Sequence, residues 1–148
     1  ASRVTYHKSV KKREETIWAS PVYLAPEISQ GFNPSYASDV YALGILLFIL
    51  ILGYPPFYHD NLESLIYMHQ TVEPPHPHFL SSSISEELEG IILHALAKSP
   101  ADRFNDAAEF QERIKSYYEK NNKTIDHNWI RRQPGYVSFD MEKTKTIV

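Results

Sequence analysis

Histidines and aspartates are the side chains in this sequence whose types and spacing suggest chemistry. His76 and His78 flank a proline, and together with His59 they raise the hypothesis of a metal site. The surrounding prolines and the lack of a paired carboxylate favour a solvated loop instead, because a zinc site needs a full ligand set in fixed geometry. Asp102 and Asp106 do not form a spaced acid and base around an obvious substrate. We therefore predict no metal site.

The composition is that of an ordinary globular protein. Of 148 residues, 43% are hydrophobic and 22% are charged, and the formal net charge is −3. This charge is too small to favour nucleic acid or an anionic membrane as the main partner. The absence of cysteine excludes disulfides and thiolate metal sites. The first sixteen residues are polar and basic, unlike a signal peptide, so we expect a cytoplasmic protein.

One apolar stretch dominates the sequence and should organise the other elements. After Asp39, the thirteen residues from Val40 to Leu52 are all apolar or aromatic except Gly44. A surface helix would show a polar face, and this stretch has none. It would span roughly 20 Å as a helix, which is short of the ~30 Å core of a membrane. We therefore predict a helix buried on every side, capped by Ser38 or Asp39.

Weaker patterns predict the elements around this helix. Apolar spacing and breaker residues favour a short helix at 26–30 that ends at Gly31, and longer helices at 60–70, 85–97 and 105–118. The prolines at 73–83 predict an irregular loop. Residues 1–16 are interpreted as an irregular charged loop, and residues from 121 onward as a tail or an extended flap.

Three blocks of the sequence resemble motifs of one family. TIWASPVYLAPE, at 16–27, resembles the end of the activation segment of eukaryotic-type protein kinases. SDVYALGILLFILILGYPPF, at 38–57, resembles the segment that follows it, with Asp39, Ala42 and Gly44 in the family's positions. LAKSPADRF, at 96–104, resembles the late segment whose arginine closes the domain core. The blocks occur in family order, and Tyr23, where tyrosine kinases commonly have tryptophan, favours the serine/threonine kinases.

The resemblance implies a mainly α fold. This fold is a kinase-like C-terminal lobe, a helical bundle around one fully buried helix, with an irregular activation segment at the N-terminus. Residues 1–118 would form a partial kinase domain, with the activation segment at 1–27 and the helical lobe at 28–118. Residues 119–148 would form a C-terminal tail or extension.

The resemblance also implies two structural roles. Glu27 would form a buried ion pair with Arg103, with two hydrogen bonds if the guanidinium meets both carboxylate oxygens. The alternative is an exposed pair that contributes little to stability. Asp39 would anchor the catalytic loop by accepting hydrogen bonds from its backbone N–H groups, and its alternative role is a simple helix cap.

A substrate loop and a regulatory site follow from the same resemblance. Ser20, Pro21 and Tyr23 would belong to the substrate-binding loop, where a hydroxyl at position 20 helps to position the catalytic aspartate. Ala19 replaces the family's usual glycine, and this difference could stiffen or tilt the loop. Thr16 matches the phosphorylated threonine of the activation loop, and a phosphate there could pair with arginine or lysine. The alternative is an unmodified loop threonine.

The motifs that perform phosphoryl transfer are missing from this sequence. It contains no Gly-rich loop, no His-Arg-Asp and no Asp-Phe-Gly motif. ATP and Mg²⁺ are implied for a complete kinase, but we expect no cofactor and no catalytic residue in this chain. We therefore expect it to be inactive by itself. The alternative is a non-catalytic, kinase-like lobe that docks other proteins.

The expected partners follow from these absences. They are a protein substrate and either the missing N-lobe and catalytic loop or another chain. A lobe that lacks these parts would expose apolar surface, so self-association through residues 1–25 is also expected. The presence or absence of the three catalytic motifs upstream of Ala1 in the parent gene would separate the two hypotheses.

Overall fold

The computed structural model describes residues 20–121, together with the backbone of two short strands before them. Strand β1 is Arg3–Val4 and strand β2 is Ile17–Trp18, and they pair in antiparallel fashion with Arg3 opposite Trp18. The expectation that residues 1–16 are irregular is therefore wrong at β1. The predicted phosphorylation site Thr16 lies outside the described residues.

The described part of the chain is mainly helical, and this confirms the predicted fold class. A 3₁₀ helix at Pro21–Tyr23 precedes the first α-helix, and another at Pro100–Asp102 precedes the last. The α-helices are α1 (Pro26–Ser29), α2 (Tyr36–Leu52), α3 (Leu62–Thr71), α4 (Pro77–Leu80), α5 (Glu86–Ala95) and α6 (Ala107–Lys120). None of these helices is long and apolar enough to cross a membrane.

Helix α2 begins at Tyr36, four residues before the first residue of the apolar run, Val40. Its N-cap is Ser35, whose side chain accepts a hydrogen bond from the Ser38 backbone N–H, while the Ser38 hydroxyl oxygen accepts one from the Ser35 N–H. This reciprocal arrangement is a capping box. The prediction of Ser38 or Asp39 as the cap is therefore wrong. The helix ends at Gly53, whose φ of 84° is the left-handed conformation that glycine adopts without strain.

Helix α2 is the centre of the bundle, but it is not covered on every side. Val40, Tyr41, Ile45 and Phe48 are 0% exposed and form the core, and α5 packs against this face. On another face Leu46 is 40% exposed and Leu50 is 72% exposed, although neither residue is polar. The prediction of a fully buried helix is wrong for this face, because the absence of polar residues does not require contact on all sides.

Helices α3 and α5 begin with side-chain caps. Asn61 caps α3 by accepting from the Ser64 N–H, and Ser85 caps α5 by accepting from the Leu88 N–H. Helix α4 contradicts the prediction of an irregular loop at 73–83. It begins with Pro77 at its first position, where a proline is tolerated because that N–H has no intrahelical partner.

The chain divides into two compact units, and the first unit ends within helix α6. The Asp106 carboxylate accepts a hydrogen bond from the Glu109 N–H, while Phe110 and Tyr117 are buried. The first unit extends from Ala1 to Tyr117, and the second from Tyr118 to Val148. Of the second unit the structure describes residues 118–121, and residues 118–120 are the last residues of α6.

Candidate functional site

The segment at 20–27 is shaped by its two prolines. Pro21 begins the 3₁₀ helix and Pro26 begins α1, in each case at a position where a fixed φ suits the turn. The Tyr23 N–H donates to the Ser20 carbonyl at 3.0 Å, and the Leu24 N–H donates to the Pro21 carbonyl at 3.3 Å. These bonds hold the segment in a compact turn that α1 then continues.

Glu27 and Arg103 form the strongest polar contact between this segment and the rest of the bundle. Arg103 Nη1 donates to Glu27 Oε1 and Nη2 donates to Oε2, each at 2.8 Å. The Arg103 side chain is 0% exposed and that of Glu27 is 11% exposed. The two residues are therefore a desolvated ion pair with two parallel hydrogen bonds, a geometry that suits arginine and not lysine.

The rest of the guanidinium is also satisfied. Nε donates to the Ala97 carbonyl at 2.7 Å, Nη1 to the Ala37 carbonyl at 2.9 Å, and Nη2 to the Lys98 carbonyl at 3.0 Å. With the two bonds to Glu27, all five N–H donors of Arg103 have an acceptor. This matters because a buried ion pair stabilises a fold only when its remaining donors are also paired.

A second buried cluster lies beside this ion pair. The Arg103 guanidinium carbon lies 4.9 Å from the centre of the Tyr41 ring, as in a cation–π contact. The Tyr41 hydroxyl lies 2.8 Å from Nδ1 of His69, which is 1% exposed. Burial raises the pKa of the Tyr41 hydroxyl far above its ordinary value, so tyrosine remains protonated and can donate this hydrogen bond.

His69 is held as a neutral ring. Burial lowers its pKa from 6.5 to about 4, and the nearby Lys98 charge adds to the lowering. Lys98 Nζ donates to the carbonyls of Met68 and His69, and it lies 4.4 Å from the centre of the Phe57 ring. Burial also lowers the pKa of Lys98, to about 8. Sequence reasoning missed His69, because a single histidine on an amphipathic helix carries no signal that separates it from a surface residue.

Helix α3 also contacts α1 through Gln70. Its Nε2 donates to Oγ of Ser29 at 2.7 Å, and that hydroxyl donates to the Pro26 carbonyl at 2.6 Å. Two consecutive residues of α3, His69 and Gln70, thus face the segment at 20–29. No sequence motif marked Gln70 either.

The structure brings together some of the residues expected at the site and leaves others apart. Glu27 and Arg103 meet, as described above. Ser20 is exposed and its side chain makes no capping hydrogen bond, while Pro21 and Tyr23 are half-buried. Asp39 is exposed in the first turn of α2, and within residues 20–121 its carboxylate has no hydrogen-bonding partner.

The histidines considered as metal ligands have other partners. His76 Nδ1 lies 3.0 Å from Glu89, His78 Nδ1 lies 2.6 Å from the Ile84 carbonyl, and His59 Nδ1 accepts from the Asn61 N–H. Within the described residues there is no group of three or more histidine or carboxylate side chains that could hold a metal ion. These three histidines therefore make hydrogen bonds within the protein.

Comparison with known proteins gives one consistent family. The family model for the protein kinase domain matches residues 2–119. The serine/threonine-protein kinase Pkn1 of Myxococcus xanthus is 38% identical over 98 residues, which cover 66% of this chain and 14% of that protein. The serine/threonine-protein kinase PknB of Mycobacterium leprae is 39% identical over 89 residues, 60% of this chain and 14% of that protein. The chain thus spans about a seventh of the length of these curated relatives.

Proposed function

This chain belongs to the protein kinase domain family, and from that premise we propose that it is the part of a serine/threonine protein kinase that binds the protein substrate. The complete protein would transfer a phosphoryl group from ATP to serine or threonine hydroxyls of other proteins. Its relatives are named serine/threonine-protein kinases, and this supports the proposed reaction class.

The observation that carries the proposal is the ion pair between Glu27 and Arg103. It joins the first and third kinase-like blocks of the sequence by two hydrogen bonds of 2.8 Å. A segment fixed in this way can present a constant backbone surface to an extended peptide. Positioning of a substrate is itself a large part of catalysis, because it removes the entropic cost of bringing reactants together.

Ser20 and Asp39 are proposed to act at the edges of this surface. The exposed Ser20 hydroxyl makes no cap bond, so it is available to help position a catalytic aspartate supplied by another segment. Asp39 is exposed at the start of α2 and would accept hydrogen bonds from the backbone of a catalytic loop. The exposed side chains of Leu46 and Leu50 support the proposal that more of the domain, or another chain, packs against α2.

Phosphoryl transfer itself is assigned to residues that this sequence does not contain. The sequence has no Gly-rich loop, His-Arg-Asp or Asp-Phe-Gly motif, and these are the motifs that hold ATP and Mg²⁺ in this family. We therefore propose that the 148-residue chain is inactive by itself. Thr16 is proposed as the regulatory phosphorylation site, where the added charge of about −2 could order the loop.

A phosphotransfer assay on the protein at its natural length tests the function. Incorporation of labelled phosphate from ATP into serine- and threonine-containing peptides is the expected result, and the 148-residue chain should give none. Ser20→Ala should lower kcat about 10- to 100-fold at unchanged stability. The matched control is Ser82→Ala, because Ser82 is also exposed but lies in a loop far along the chain. If the natural-length protein incorporates no phosphate, the kinase proposal is overturned, and the alternative of a non-catalytic lobe that docks other proteins remains.

A further inference from the structure

We propose that His69 is a positioning residue for the substrate-binding loop, with its Nε2–H as the donor that holds the backbone carbonyl of Pro21. This inference rests on the proposed function only because that proposal identifies the turn at 20–24 as part of a substrate-binding loop. The physical claim concerns a hydrogen bond between α3 and the turn at 20–24, and it is tested without any phosphotransfer reaction.

The position of the ring is the first observation. The 3₁₀ helix Pro21–Tyr23 packs against both α2 and α3. His69 belongs to α3, is 1% exposed, and contacts the Phe57 ring edge-on at 5.2 Å between centroids. A ring enclosed in this way cannot exchange its protein partners for water, so each of its nitrogens needs a partner within the protein.

The second observation is that the two ring nitrogens differ. Nδ1 lies 2.8 Å from the Tyr41 hydroxyl, whereas Nε2 is buried and has no partner in hydrogen-bonding geometry. The Tyr41 hydroxyl can donate to Nδ1, and the proton of the neutral ring then resides on Nε2. The ring therefore carries a buried N–H that lacks an acceptor.

The third observation supplies the acceptor. The Pro21 carbonyl is close enough to the His69 ring to favour its protonated form, opposing the effects of burial and of Lys98 on the pKa. This carbonyl already accepts from the Leu24 N–H at a long 3.3 Å, and a carbonyl oxygen can accept a second bond. A small shift of the turn toward α3 therefore satisfies Nε2 and fixes the loop backbone at Pro21.

The role of Tyr41 follows from this arrangement. Its hydroxyl sets which nitrogen of His69 carries the proton, and its ring lies beneath the Arg103 guanidinium. The same α2 residue thus contacts the arginine that binds Glu27 and the histidine that faces Pro21. Tyr41 therefore links both ends of the 20–27 segment, Pro21 through His69 and Glu27 through Arg103.

A pair of substitutions separates this role from simple filling of the core. His69→Gln can place an amide N–H near the position of Nε2, whereas the shorter side chain of His69→Asn can replace only Nδ1. Amide hydrogen exchange of Tyr23 and Leu24, measured by NMR on the 148-residue chain, reports on the turn. We expect exchange of both amides to be up to about tenfold faster in His69→Asn, and near the unsubstituted rate in His69→Gln.

The Gly53 amide is the internal control, because it bonds to Ile49 at the far end of α2. Its exchange should not differ between the two variants, and any global loss of stability would show there. The inference is overturned if asparagine and glutamine change Tyr23 and Leu24 equally, or if neither variant changes them. Nitrogen-15 spectra of the unsubstituted chain give a second test that needs no variant, since a proton on Nδ1 instead of Nε2 also overturns it.

These outcomes are independent of the kinase proposal. A natural-length protein without phosphotransfer activity would leave the exchange results unchanged. Conversely, an active kinase whose His69→Asn variant shows an unaltered turn would retain the proposed function and lose this inference.

Discussion

Gly44 in α2 lies so close to Ala95 in α5 that a Cβ atom on Gly44 would be 2.9 Å from the Cβ of Ala95. Leu96 Cδ2 would lie at 3.0 Å from the same atom. The two helices therefore approach at a point where neither backbone can move without disturbing the core.

Gly44→Ala is expected to lower the free energy of unfolding by about 1–3 kcal/mol, because the added methyl forces α2 and α5 apart. Urea denaturation measures the change, and Ala95→Gly in the same chain should restore part of it. Gly90→Ala is the matched control: no atom lies within 4 Å of the added Cβ, so stability should be unchanged or higher by up to about 1 kcal/mol. Equal effects at both glycines would contradict the close approach.

Removal of either partner of the buried ion pair should strongly lower the free energy of unfolding. Glu27→Ala or Arg103→Ala leaves a desolvated charge without its partner, which costs about 3–5 kcal/mol. Arg103→Lys should also destabilise, because lysine offers three donors where five are used. Thermal and urea unfolding give the magnitudes. Arg113→Ala, on the exposed side of α6, should stay within about 0.5 kcal/mol, and a small effect at Arg103 would refute its central role.

Acid should weaken the fold through His69. Its pKa is about 4 in the fold against an ordinary 6.5, so the unfolded chain binds more protons between these values and stability falls as pH decreases from about 6.5 to about 4. The shift corresponds to about 3 kcal/mol. The positive charge of Lys98 and the Tyr41 hydroxyl face the ring, and Arg103 lies beyond Tyr41.

The measurement is urea unfolding at a series of pH values. His69→Gln should remove this part of the pH dependence, whereas His59→Gln, at an exposed position, should not. Parallel pH curves for the unsubstituted chain and His69→Gln would exclude His69 as the source.

The two faces of α2 should respond differently to truncation. Phe48 is 0% exposed and Leu50 is 72% exposed. Phe48→Ala should cost about 3–5 kcal/mol, as expected for a buried aromatic ring. Leu50→Ala should stay within about 0.5 kcal/mol in the 148-residue chain. A large loss of stability at Leu50 in equilibrium unfolding would mean that this face is covered after all.

The helical architecture could be predicted because its signals are local. The apolar run identified α2, and Ser85 with the acidic residues after it identified the start of α5. Helix α4 differs from the loop that the prolines predict, because Pro77 occupies the first helical position, where proline favours a helix. The apolar run does not locate the start of α2, because residues 36–39 belong to the helix although they precede that run.

The polar interior could be anticipated only where a family motif pointed to it. Glu27 and Arg103 were expected as a pair from the resemblance. The other acceptors of Arg103 are the backbone carbonyls of Ala37, Ala97 and Lys98, and a backbone acceptor cannot be recognised from side-chain types. His69 and Lys98 were not identified, because their burial depends on how α3 packs against Phe57. The exposure of Leu46 and Leu50 on α2 likewise could not be predicted, since the hydrophobicity of a helix does not indicate which elements pack against it.

The separation of 76 residues between Glu27 and Arg103 has a consequence for how the protein is made. During synthesis the amino end of a chain emerges from the ribosome first, so Glu27 emerges long before Arg103, which neutralises it. Before residue 103 has been synthesised, the Glu27 carboxylate lacks the arginine that allows its burial in the core. The 20–27 segment can therefore reach its final shape only after nearly the whole helical bundle has been synthesised.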